Sequence, residues 1–194
     1  MSAHCPYCNT VLDPAPKRKK ACPTCDKPIY IRNGKLLNEF DALREDWLGY
    51  LNPLDISKKH FDDARSQLAQ QFGHSPGFYD VVWRILNDVI ASAGRPTADV
   101  EKAYYEMARV ASFEHKDPRR YIAQALTTSL QIMKMQGVKW VVISCYAGEP
   151  DFSTCEACRS LHGTKLAIGE ALSTLPIPNK CTNDTDCRCE YVPA

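Results

Sequence analysis

The feature that most constrains this chain is a repeated Cys-x2-Cys pair near its start, Cys5-Pro6-Tyr7-Cys8 and Cys22-Pro23-Thr24-Cys25, with thirteen residues between the pairs. The short spacing lets both thiolates of a pair, and the backbone amides that stabilise them, turn toward one ion. Two such knuckles complete a tetrahedral four-cysteine set. So short a stretch cannot bury enough apolar surface to fold alone, so zinc binding is expected to supply much of its folding free energy, on the order of 10–16 kcal/mol in structural peptide sites. The spacing also admits iron in a rubredoxin-like site; zinc is the better fit to a basic loop and a helical partner. Four thiolates leave no open coordination position, which makes the site structural and not hydrolytic.

The distribution of cysteine supports metal over disulfides. Ten occur, nine of them between Cys5 and Cys25 or between Cys155 and Cys189, and the long middle has only Cys145. The opening MSAHCPYCNTVLDPAPKRKK has neither the apolar run nor the cleavage site of a secretory signal, and no stretch approaches the roughly 18 apolar residues of a membrane span. A reducing, cytoplasmic setting is therefore expected, where closely paired cysteines are metal ligands.

The second cluster is Cys155-x2-Cys158, then Cys181, then Cys187-Arg188-Cys189. Cys155 and Cys158 form another knuckle and Cys181 is a third ligand. In an extended segment Cys187 and Cys189 share a face, since alternate residues of a strand do. Five thiolates exceed a tetrahedral set, so one of Cys187 or Cys189 is expected to complete the site. His162 is an alternative ligand, though a lone histidine more often serves local hydrogen bonding. The cofactor expectation is two zinc ions, one per cluster.

Net charge is near zero, but unevenly spread. Residues 1–35 carry seven Lys/Arg against two Asp, residues 36–144 thirteen against fourteen, and residues 145–194 four against seven. Any polyanion contact is expected at the basic N-terminus, where Lys17, Arg18, Lys19 and Lys20 are candidate phosphate contacts; the alternative is a solvated loop.

Between the clusters the pattern is helical. Ile29 and Ile31 alternate as in a hairpin strand, and Leu36, Leu37, Phe40, Leu43, Trp47, Leu48 and Leu51 then recur at three- and four-residue spacing until Asn52-Pro53 stops them. Asp55 or Ser57 can cap a second helix, lined by Phe61, Ala64, Leu68 and Phe72, with Gly73 as its left-handed exit. Phe78 to Ile90 forms the most apolar helix, Thr97 opens a fourth, and Asp117-Pro118 a fifth that runs to Gly137. The β-branched run VKWVVIS then reads as a strand leading into the second cluster. The expected fold is mainly α: a zinc ribbon over 1–35, a central helical bundle over 36–137, and a small α+β metal-binding module over 138–194.

The stretch GVKWVVISCYAGEPDFSTCEACRSLHGTKLAI, with the closing CRCEYVP, resembles the C-terminal part of the Mu F-like minor head (head morphogenesis) proteins of tailed bacteriophages. Asp151, Thr154, Cys155, Cys158, Leu161, Gly163, Cys187, Arg188 and Cys189 stand at that family's motif positions. Ser153 departs from the usual Arg, and Cys181 with the following TNDTD replaces a compact His-containing approach to Cys-Arg-Cys. The N-terminal ribbon lies outside the pattern. As a whole the chain resembles bacterial zinc-ribbon proteins of unassigned activity. The resemblance implies architecture, and a head-assembly role as one reading.

Catalysis has little to stand on. Cys145 with His115 or His162 would be the elements of a thiol hydrolase, but Cys145 sits in an apolar strand pattern, where buried free cysteine is common. No HExxH or comparable constellation is visible; Asp62-Asp63 and Asp184-x-Asp186 are the nearest acidic pairs, and solvation is their expected role. The expectation is a non-catalytic adaptor that binds nucleic acid or protein, with phage-head assembly as the alternative and no small-molecule substrate or membrane partner.

Overall fold

The computed structural model describes residues 3–145, 154–182 and 189–194. It is mainly helical with small antiparallel sheets, and it divides into two compact units, Met1–Val82 and Trp83–Ala194.

The first unit opens with two short hairpins. Strand β1 (Ala3–His4) pairs with β2 (Val11–Leu12) around the first knuckle; β3 (Lys20–Ala21) pairs with β4 (Pro28–Arg32) around the second, and β4 pairs onward with β5 (Lys35–Leu37). Cys5, Leu12, Cys22 and Ile29 are buried together, a core so small that two cysteines of the knuckles form half of it.

One boundary differs from expectation. Leu36 and Leu37, read as the start of the first helical stripe, lie in β5, opposite Ile31 and Tyr30. The reason is the intervening turn: Asn33 and Gly34 both take positive φ, 51° and 74°, the conformation of a two-residue hairpin, and they return the chain before a helix can begin. Helix α1 (Glu39–Leu51) starts only at Asn38, whose side chain accepts the Asp41 N–H at 2.8 Å.

Helix α2 (Lys58–Phe72) begins with Ser57 and His60 in a reciprocal capping box and ends at Gly73, φ 71°. Phe61, Ala64 and Leu68 are buried as their spacing requires, but Phe72 is 47 % exposed, because it occupies the last helical position and its ring lies against His74. Arg44 of α1 is buried, and its guanidinium reaches Asp41 at 2.7 Å and Asp62 of α2 at 2.9 Å. Asp62 is thus an ion-pair partner that ties two helices, not merely a solvated carboxylate.

Helix α3 (Phe78–Ala93) contains the division between the units. In the second unit α4 (Ala98–Phe113), capped by Thr97, packs along α5 (Arg119–Met135). After Gly137 the chain enters β6 (Trp140–Ser144), the centre of a sheet ordered β7-β6-β8, with β7 at Lys165–Ala167 and β8 at Glu190–Pro193. Helix α6 (Glu156–Leu161) precedes β7; α7 (Ile168–Thr174) and a single turn, α8 (Pro176–Asn179), follow it. Ile122, Leu126 and Leu130 of α5 share one core with Val141, Ile143, Cys145, Cys158, Ile177, Cys181 and Tyr191. The buried Tyr191 hydroxyl is held in that core by donating to the Ile177 carbonyl and accepting the Ile177 N–H.

No helix among the described residues is long and apolar enough to cross a membrane.

Candidate metal centres

The two N-terminal pairs adopt the same knuckle residue for residue. Cys5 N–H donates to the Thr10 carbonyl, the Asn9 N–H returns to the Cys5 carbonyl, and the Tyr7 N–H points at the Cys5 sulfur at 3.5 Å. Cys22 repeats the pattern with Lys27, Asp26 and the Thr24 N–H, again at 3.5 Å. Each knuckle closes through a residue of positive φ, Asn9 at 59° and Asp26 at 56°, residue types that tolerate the left-handed conformation. That recurrence of Asn and Asp just beyond each Cys-x2-Cys pair was a readable signal which the cysteine spacing alone does not use.

The knuckles face one another. Cys5 Sγ lies 3.8 Å from Cys25 Sγ, Cys8 Sγ lies 3.7 Å from Cys22 Sγ, and the four sulfurs fall within 4.8 Å of one another. A tetrahedron with metal–sulfur bonds of ~2.3 Å has edges of about 3.8 Å, so the donors stand where one zinc ion needs them. Hydrogen bonding with Thr10, through its hydroxyl and then its backbone, lowers the Cys8 thiol to about 6, and Cys22 is also lowered, first by the Cys25 backbone. At Cys25 a backbone hydrogen bond from Lys27 lowers the thiol, but desolvation and the sulfurs of Cys22, Cys8 and Cys5 outweigh it and push the thiol up to about 12. Four thiolates this close repel, and a cation at their centre removes the conflict.

The second group has a different local frame. Cys155 is the N-cap of α6, its sulfur accepting the Cys158 N–H at 3.4 Å, and the Thr182 N–H reaches the same sulfur at 3.4 Å. Burial raises the Cys155 thiol, but these amides outweigh it and bring the thiol down to about 6. Cys155 Sγ lies 3.8 Å from Cys181 Sγ, and Cys155, Cys158 and Cys181 form the second group of sulfurs within 4.8 Å of one another. The donor chemistry and spacing again fit a thiophilic ion such as zinc.

Of the expected fourth ligands, Cys187 lies outside the described residues, as do Asp151, Ser153, Asp184, Asp186 and Arg188. Cys189 is not part of the three-sulfur group; its sulfur lies 3.6 Å from that of Cys145. His162 takes a hydrogen-bonding role, its Nδ1 accepting the Cys145 N–H at 3.1 Å. That contact fixes the imidazole with its proton on Nε2 and ties the turn after α6 to the end of β6.

Lys17, Arg18, Lys19 and Lys20 are all exposed on the segment joining the two knuckles, with Lys20 in β3. Among the described residues no carboxylate lies within ion-pairing distance of Lys17, Arg18 or Lys20, and the Lys19 ammonium sits 4.5 Å above the Tyr30 ring.

No protein-family model matches the chain, and neither does any curated protein or solved structure.

Proposed function

We propose that the protein is a non-catalytic, cytoplasmic adaptor with two zinc ions, which binds nucleic acid or a protein partner through the basic face of its N-terminal ribbon. The observation that carries this reading is the position of Lys17 to Lys20 on the connection between two knuckles whose four sulfurs converge on one point. A metal there would hold the basic segment in a fixed presentation, and four cysteine ligands would leave it no position for substrate. The ribbon carries the chain's positive excess, the requirement for counterion-releasing contact with phosphate.

The test is titration of the full chain, metal-loaded, against labelled single- and double-stranded oligonucleotides over a range of salt. Phosphate contact predicts affinity that falls steeply with salt and is nearly independent of sequence. Replacing Lys17, Arg18, Lys19 and Lys20 with Ala should weaken binding uniformly and flatten the salt slope while metal content stays unchanged. Binding that ignores the substitution moves the reading to a protein partner, and no binding by the parent discards the nucleic-acid version.

A second reading, a phage- or prophage-derived head-assembly protein, is favoured by the convergence of Cys155, Cys158 and Cys181 at the end of β6, the segment that resembles minor head proteins. Portal and capsid genes beside the coding gene would support it.

A further inference from the structure

Cys145 and Cys189 belong to neither of the two sulfur groups found among the described residues. Cys145 directly follows β6 and Cys189 directly precedes β8, one step beyond the last register pair, Ser144 with Glu190. Their sulfurs lie 3.6 Å apart, and the residues are 0 % and 5 % exposed.

Hydrogen bonding distinguishes the Cys145 sulfur from that of Cys155. The Cys145 thiol donates to the Cys158 carbonyl at 3.2 Å, and the Cys189 thiol donates to the Cys145 sulfur. A carbonyl oxygen can only accept, so Cys145 is the donor in that contact. The Cys155 sulfur instead accepts two backbone N–H groups, from Cys158 and Thr182.

We propose that Cys145 and Cys189 are a redox-convertible cross-strand dithiol, separate from the metal ligands, which a small-molecule disulfide oxidises to a protein disulfide. Facing residues of antiparallel strands have Cα atoms roughly 4.5–5.5 Å apart, inside the ~4.4–6.8 Å window of disulfides, so side-chain rotation brings the sulfurs together without moving the strands. Strand β8 is at the edge of its sheet, so local opening of that edge is the route by which the reagent would reach the buried pair.

The exchange balances with that reagent alone. One protein thiol loses its proton and attacks a sulfur of the small disulfide, releasing one small thiolate, which takes up a proton. The second protein thiolate then attacks the mixed disulfide and releases the second small thiol. The protein sulfurs lose two electrons together, and the small disulfide gains them. The new bond closes a loop that contains Cys155, Cys158 and Cys181, so oxidation locks the two strands that bracket the metal-binding segment.

The experiment treats the metal-loaded full chain with oxidised glutathione, alkylates the remaining thiols, and maps disulfides by peptide mass spectrometry while metal content is measured in parallel. The expected result is one peptide pair joining Cys145 to Cys189, short of two hydrogens, with metal content unchanged. Cys145→Ser and Cys189→Ser should each abolish that pair and keep the parent's metal content. A Cys189→Ser protein that loses one equivalent of metal identifies Cys189 as a ligand and overturns the proposal. So does the absence of the Cys145–Cys189 pair from treated parent protein, a readout that needs no variant to fold. Neither failure touches the separate question of whether the N-terminal knuckles bind metal.

Discussion

The Tyr7 hydroxyl accepts the backbone N–H of Glu39 at 2.8 Å and donates to the carbonyl of Pro28 at 3.0 Å. Tyr7 is the third residue of the first Cys-x2-Cys run, and Glu39 is the first residue of α1. One phenol therefore joins a cysteine knuckle, the strand behind it and the amino end of a helix, satisfying a helix N–H that has no partner within the helix.

Replacing Tyr7 with Phe keeps the ring and removes both bonds. The expected loss is about 1–3 kcal/mol, the range for leaving polar groups without their partner. Denaturant unfolding of the metal-loaded protein measures it, and amide exchange should quicken first at Glu39 and its neighbours. Unchanged stability and exchange would mean that water replaces the hydroxyl without penalty.

Metal affinity should depend on pH in a stated direction. Cys25, held up to about 12 in the absence of metal, is protonated at neutral pH, whereas Cys8, lowered to about 6, is largely ionised. Zinc binding must therefore expel at least the Cys25 proton, so apparent affinity rises about tenfold per pH unit from that proton alone and weakens further as pH falls below the Cys8 value. Competition with a chromophoric chelator at several pH values between 6 and 8 checks this. An affinity flat across that range would contradict it.

Arg44 is the third test. It is buried between Asp41 and Asp62, and its Nε has no hydrogen-bond partner among the described residues. Arg44→Ala should destabilise the first unit by roughly 2–4 kcal/mol, somewhat below a fully buried pair because Asp62 is half exposed. Arg44→Met should recover part of that loss, since the methionine fills the space, while Asp41 and Asp62 lose their partner in both variants. A Met variant no more stable than Ala would show that the ion pairs, not the packing, account for the loss.

What the sequence made legible was local. The Cys-x2-Cys knuckles need only neighbouring residues, and the buried face Phe61, Ala64, Leu68 follows from helical periodicity. The caps Ser57 and Thr97 and the exit Gly73 are likewise decided within one turn. Leu36 and Leu37 were misplaced because their spacing continues the helical stripe, whereas the Asn33-Gly34 hairpin decides their conformation. The Arg44–Asp62 pair depends on how α1 meets α2, and the Cys145–Cys189 contact depends on the register of β8 against β6. Neither relation exists in any short window. The two-residue spacing of Cys187 and Cys189 gives a shared strand face, but not which sulfur meets an ion.

The most direct test of the account is metal stoichiometry by native mass spectrometry of protein prepared under reducing conditions. The parent should carry two zinc ions, Cys8→Ser should lose one and keep the other, and Cys181→Ser should do the reverse. A parent with a single ion, or either variant retaining both, would contradict the assignment of one metal to each cysteine cluster.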